Sequence, residues 1–121
     1  MSVGYDDNNI FAKILRGEIP CKKVHEDEHT LAFEDIAPAA PVHTLVIPKG
    51  KYVSVTDFAA RASDAEIGAL IRAIGKVAAL KGVEDPGYRL LSNIGREGGQ
   101  VVPHLHFHIL GGRALGPMLV K

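Results

Sequence analysis

The chain predicts an α+β fold, a five-stranded antiparallel sheet carrying one long and one short helix. Three observations lead there. Residues 63–81 combine a helix-start signature with a continuous apolar stripe. Five short runs rich in apolar and β-branched residues are separated by Gly-, Pro- and Asp-bearing breaks. A long amphipathic helix and a one-faced sheet bury their apolar sides against each other.

The first nine residues, MSVGYDDNN, form a polar N-terminal tail whose Asp6, Asp7, Asn8 and Asn9 suit the cap of a following helix. Ile10, Phe11, Ile14 and Leu15 recur at helical spacing, and Gly17 and Pro20 end that short helix. Residues 22–26 read as a strand, 27–29 as a turn, and 30–35 as a second strand with Leu31 and Phe33 on one side. After the break at Pro38 to Pro41, residues 43–47 (HTLVI) make a third strand that stops at Pro48. These three predict a meander.

In the long helix Ser63 and Glu66 form a capping box. Ile67, Leu70, Ile71, Ile74, Val77 and Ala78 line one face, and Gly82 suits the terminator. Residues 88–92 predict a strand, 93–100 (NIGREGGQ) a glycine-rich loop, and 104–110 the last strand, ended by Gly111 and Gly112. Residues 10–112 thus form one folded domain, and 113–121 a C-terminal tail.

The 121 residues suffice for a core without metals or disulfides. Fourteen basic and fourteen acidic residues cancel, so no broad electrostatic attraction to nucleic acid or an anionic membrane is expected. One cysteine, Cys21, excludes an intrachain disulfide and a cysteine-rich zinc site. The opening residues lack the order of a signal peptide, and no apolar run approaches the roughly 18 residues that span a bilayer. A cytoplasmic protein is expected.

Three of the six histidines fall at His104, His106 and His108, interleaved with Leu105, Phe107 and Ile109. In a strand this alternation gathers three imidazoles on one side and sends the apolar set to the other. In a helix successive histidines would be about 200° apart. Imidazole, with an ordinary pKa of about 6.5, supplies both a neutral nucleophile and a protonated, charged donor near neutrality. Such a cluster suits transfer at phosphorus by positioning and charge stabilisation. The competing reading is a three-histidine metal site, which is strained when all three ligands come from one strand. No metal or cofactor is expected.

The segment GGQVVPHLHFHILGG resembles the signature of the histidine triad (HIT) family. IFAKILRGEIP is similar to that family's first helix, LAFEDIAPAAPVHTLVIPK to its nucleotide-contact strands, and GGRALGPML to the tail of its Hint branch. The resemblance implies that His106 attacks an α-phosphorus to form a covalent nucleotidyl-histidine, with His108 beside the phosphate and leaving group. It implies that His104 supports the site and His43 completes a hydrogen-bonded chain. Asp35 corresponds to the residue that accepts from ribose hydroxyls, and Asn93, Gly99, Gln100 and the backbone N–H of Val101 to the phosphate-facing loop. Phe11, Ile14, Phe33 and Ile36, with Ile10 and Leu45 as additions, correspond to apolar walls around the base. By periodicity alone Phe11, Ile14 and Phe33 fit core packing equally, and Asp35 and Asn93 fit turns.

Three departures stand out. Asn9 and Ala12 occupy positions where many bacterial relatives carry zinc-binding cysteines. Val101 replaces a polar residue that helps the leaving amine, and the tail lacks the tryptophan of animal relatives. The resemblance implies a purine nucleoside phosphoramidase, with a dinucleoside polyphosphate hydrolase or a nucleotide-binding regulator as alternatives. It also implies a homodimer built on the long helix and neighbouring strands, with a purine nucleotide as the small-molecule partner.

Overall fold

The computed structural model describes residues 4–119; residues 1–3 and 120–121, the outer ends of the two tails, lie outside the description. Asn9 starts the first helix, α1 (Ile10–Leu15), by accepting the Ala12 N–H at 2.9 Å through its side-chain oxygen. Gly17, at φ 79°, turns the chain out of it.

Strands β1 (Lys23–Glu26), β2 (Thr30–Glu34) and β3 (Val42–Pro48) form the expected meander. After the helices come β4 (Arg89–Leu91) and β5 (Phe107–Gly111), and the sheet order is β1-β2-β3-β5-β4, antiparallel throughout. The last strand therefore inserts between β3 and β4, which places it centrally. The five predicted strands and their antiparallel arrangement are all present.

The long helix is α3 (Asp64–Leu80), and its capping box is complete. Ser63 Oγ accepts the Glu66 N–H at 3.1 Å, and Glu66 Oε1 accepts the Ser63 N–H at 3.0 Å. Leu70, Ala73, Ile74, Val77 and Ala78 pack on Ala32, Val46 and Ile109 from the sheet and on Leu105 just before the last strand. Ile71, counted in the predicted stripe, instead stands 59% exposed.

Two short helices add to the two expected. The first, α2 (Val55–Arg61), starts at Ser54, whose hydroxyl accepts the Asp57 N–H, and buries Phe58 edge-on against Tyr52. It has too few apolar positions to show a helical period. The second is a single turn, α4 (Gly95–Gly98), inside the glycine-rich loop.

The opposite face of the sheet carries a smaller cluster of Phe11, Leu31, Phe33, Leu45 and Ile47. It leaves room for polar groups at one end. No helix among the described residues is long and apolar enough to cross a membrane.

Candidate active site

His43 on β3 and His108 on β5 stand on the face away from α3. The register pairs His43 with Leu110 and Leu45 with His108, so the two imidazoles are diagonal neighbours, with ring centroids 5.1 Å apart. Their protonation follows from the partners. The Ala39 backbone N–H can only donate, and it meets His43 Nδ1 at 3.0 Å. Neutral His43 therefore carries its proton on Nε2 and donates to His108 Nδ1 at 2.9 Å. The proton of His108 is left on Nε2, the one buried side-chain nitrogen or oxygen among the described residues with no partner.

Asp35, just past β2, sits beside this pair, with Oδ2 3.4 Å from His43 Nε2. Its other oxygen accepts the Ala37 N–H at 2.8 Å, which fixes the carboxylate in an Asx turn.

The two remaining triad histidines precede the regular strand, which begins at Phe107 and not at residue 104 as the alternation predicted. The reason lies in the connection after β3. Pro103 has no N–H to offer a ladder. Leu105 N–H goes to the Tyr52 carbonyl at 2.7 Å, and His104 Nε2 to the Pro48 carbonyl at 2.9 Å. His104, through its side chain, and Leu105, through its backbone, are thus pinned to Pro48 and Tyr52 instead of joining a strand ladder.

His104 is completely buried, under Phe11 and Tyr5, and does not open onto the face shared by the other two. His106 lies 5.0 Å from His108 between ring centroids and 4.9 Å from Phe11. Its Nδ1 is 2.7 Å from the His104 carbonyl, an obligate acceptor, so Nδ1 holds the proton and Nε2 presents a lone pair. Ser92 Oγ braces the same residue by donating to the His106 carbonyl at 2.8 Å.

Burial pushes His104 and His108 down to about 4 and lowers His106 as well, so all three rings are neutral at pH 7. The geometry is that of a neutral nitrogen nucleophile next to a neutral N–H donor, each held in one tautomer.

The glycine-rich loop divides its donors. Gly99 N–H returns to the Arg96 carbonyl and Gln100 N–H to the Gly95 carbonyl, closing the α4 turn. The Gln100 side chain, expected at the phosphate, folds inward. Its Nε2 donates to the Val53 and Val102 carbonyls at 2.7 and 3.0 Å, and its Oε1 accepts the Gly95 N–H. Val101 N–H has no hydrogen-bond partner among the described residues, although its side chain is 88% exposed. Asn93 is half-buried at the start of the loop, with its backbone in ordinary packing distance of Gly98.

Of the predicted apolar walls, Phe11 touches His106 edge-on and Phe33 backs Phe11 at 5.5 Å, while Ile14 and Leu45 pack in the same cluster. Ile36 departs from that picture. It is 92% exposed, because the Asx turn at Asp35 throws it outward, and Ile10 is 40% exposed. A cavity of about 600 Å³ opens here, lined by Pro20, Cys21, Lys22, Glu34, Asp35, Ile36, Pro38, Pro41 and His43.

Asp35, His43 and His108 offer three ligand atoms within 4.8 Å of one another. A cation among them would have to displace the His43–His108 hydrogen bond, which already satisfies both nitrogens. The Asn9 and Ala12 positions are bridged by the cap of α1, with no sulfur or imidazole to hold zinc there.

Several participants were not visible in the sequence. The Ala39 N–H and the His104 and Pro48 carbonyls are backbone groups with no residue signature. Ser92 had only its place beside Asn93 to mark it.

The sequence and the fold are shared with known proteins. Residues 16–115 match the HIT domain model. The chain is 62% identical to a 13.2 kDa HIT-like protein of Azospirillum brasilense over all of its own length and 99% of that protein. It is 46% identical to the purine nucleoside phosphoramidase of Escherichia coli, covering 93% of this chain and 94% of that one. A HIT family hydrolase from Clostridium thermocellum superposes with a TM-score of 0.85 at 42% identity, covering 94% of this chain and 98% of that chain.

Proposed function

Because the chain belongs to the HIT family, we propose that it hydrolyses purine nucleoside 5′-phosphoramidates through a nucleotidyl adduct on His106. The observation that carries this reading is the tautomer pair. His106 Nε2 is a free lone pair, and His108, 5.0 Å away between ring centroids, has a buried Nε2 with no partner.

In the first step His106 Nε2 bonds to the α-phosphorus and the P–N bond breaks, the departing amine taking a proton. In the second, water attacks phosphorus, loses a proton and frees His106, leaving a nucleoside 5′-monophosphate. His108 Nε2–H and Val101 N–H donate to the phosphate oxygens as charge develops, and the His43 chain holds His108 in the donating form. Asn93 supplies a further donor. Asp35 accepts from ribose hydroxyls at the cavity, with Ile36 exposed at its rim; the family resemblance assigns Phe11, Ile14 and Phe33 to the purine side. Gly99 and Gln100 act by shaping the loop that aims Val101. The 46% identity to a purine nucleoside phosphoramidase supports the P–N bond as target.

The test is a panel of adenosine and guanosine 5′-phosphoramidates beside a diadenosine polyphosphate, with product analysis and rapid-quench mass spectrometry of the His106 peptide. Monophosphate release from phosphoramidates with a nucleotidyl mass on His106 is expected. Turnover confined to the diadenosine compound would move the assignment to polyphosphate hydrolysis.

A homodimer is part of the same proposal. Leu90, 41% exposed, lies on the edge strand β4, whose outer backbone groups are free to take up a second copy, and Ile71 on α3 is 59% exposed. Arg89 holds the Gly116 carbonyl at 2.8 Å, which lays the C-terminal tail along that edge. Light scattering should give twice the chain mass.

A further inference from the structure

We propose that Tyr5, on the polar segment before α1, is a positioning residue for the nucleophile, acting through His104; this rests on the reading of His106 as the attacking group. His104 is completely buried and both of its ring nitrogens are engaged. The Pro48 carbonyl, 2.9 Å from Nε2, can only accept, so the proton sits on Nε2. Nδ1 is then an acceptor, and the Tyr5 hydroxyl, 2.6 Å away, donates to it. The two rings also meet edge-on at 5.5 Å. The backbone carbonyl of the same residue receives the Nδ1–H of His106. Residue 104 is thus held at both nitrogens and passes its position to the ring that attacks.

The segment bearing Tyr5 is tied to the domain at several points. Asp7 pairs with Lys51 at 2.7 Å, and the Asp7 carbonyl accepts from Arg16 at 2.8 Å. Asn9, only 5% exposed, donates its amide to the Asp6 carbonyl at 2.7 Å and caps α1 with its oxygen. What reads in sequence as a solvated tail is, from Tyr5 to Asn9, a strap across the back of the triad.

Removing the hydroxyl leaves a buried acceptor without a donor. The imidazole either tilts or moves its proton to Nδ1, and the second outcome forfeits the bond to Pro48. Both disturb the carbonyl that fixes the His106 tautomer, while the nucleotide-facing residues stay untouched. The effect belongs in kcat and not in KM.

The experiment uses Tyr5→Phe in the full chain, assayed with adenosine 5′-phosphoramidate and followed by long-range proton–nitrogen NMR of the histidines. We expect kcat to fall about tenfold with KM within about twofold. The NMR should show the Nε2–H form of His104 in the unsubstituted protein and a mixed or shifted state in the variant, with His106 perturbed as well. Lys51→Ala, which loosens the strap and keeps the hydroxyl, should move both readouts the same way by less. Unchanged kcat with unchanged His104 and His106 signals would overturn the proposal, and so would a drop in melting temperature alone. Should the unsubstituted protein turn over no nucleotide, the proposed reaction fails, yet the NMR comparison still decides whether Tyr5 governs the two histidines.

Discussion

The two faces of the sheet are built from the same strands and do opposite work. On β5, Phe107 and Ile109 turn toward α3 while His108 turns away; on β3, Val46 turns toward α3 while His43 and Leu45 turn away. The α3 face is apolar and closed, with Val46, Val77 and Ile109 completely buried. The other face packs only a small cluster beneath α1 and then gives way to histidines that are buried yet hydrogen-bonded. The difference teaches how a small domain keeps neutral imidazoles in defined tautomers. One face secures the strands by burial, which lets the other present polar groups whose partners are set by backbone carbonyls and N–H groups.

If that division is right, substitutions on the two faces should separate activity from stability. The largest effect belongs to His106→Ala. Steady-state kinetics should show at least about a thousandfold loss of kcat/KM with little change in melting temperature. Retained turnover would remove the nucleophile from this face altogether.

His108→Gln keeps an N–H but breaks the chain from His43, and should lower kcat by roughly a hundredfold. Leu70→Ala is its counterpart on the closed face. Chemical denaturation should show a loss of about 2–5 kcal/mol, with kcat at low temperature near its original value. A large loss of kcat there would mean the two faces are coupled.

Acidification should strike both faces together. The unfolded chain binds protons at its histidines near pH 6.5, whereas burial holds His104 and His108 near 4 in the fold. The unfolded state takes up more protons between those values, so stability is full above about pH 6.5 and is lost as pH falls toward 4. Melting temperature should decline through that window, and kcat/KM should fall on acidification as well, since protonating His106 Nε2, which burial disfavours, removes its lone pair. A flat melting profile there would contradict the buried neutral triad.

The smallest expected effect is that of chelation. Exhaustive EDTA treatment should leave kcat within experimental error, because the His43 Nε2 and His108 Nδ1 atoms beside Asp35 already hydrogen-bond each other. Activity lost to EDTA and restored by a divalent cation would replace the hydrogen-bonded chain with a metal.

Much of this architecture is legible in the residues. Ser63 and Glu66 announced α3, and the interleaving of His with apolar residues announced a strand with two unlike faces. The short helix α2 was not legible, because Val55 and Phe58 are too few to set a period. Nor was the inward turn of Gln100, whose partners at Val53 and Val102 come together only through the fold. The polar run at the N-terminus read as solvated tail, since nothing local links Tyr5 to a histidine 99 positions away.

Periodicity, capping and the histidine spacing, all short-range properties, determined on their own that this chain makes an α+β sheet with imidazoles facing away from its core. Which nitrogen of each imidazole holds the proton was decided only by tertiary structure. A tautomer depends on what stands within about 3 Å of each ring nitrogen. The partners that set His104 and His108, the Pro48 carbonyl and His43 Nε2, lie 56 and 65 positions away in the chain, and the nearer partners of His43 and His106, the Ala39 N–H and the His104 carbonyl, are aimed by the folded backbone.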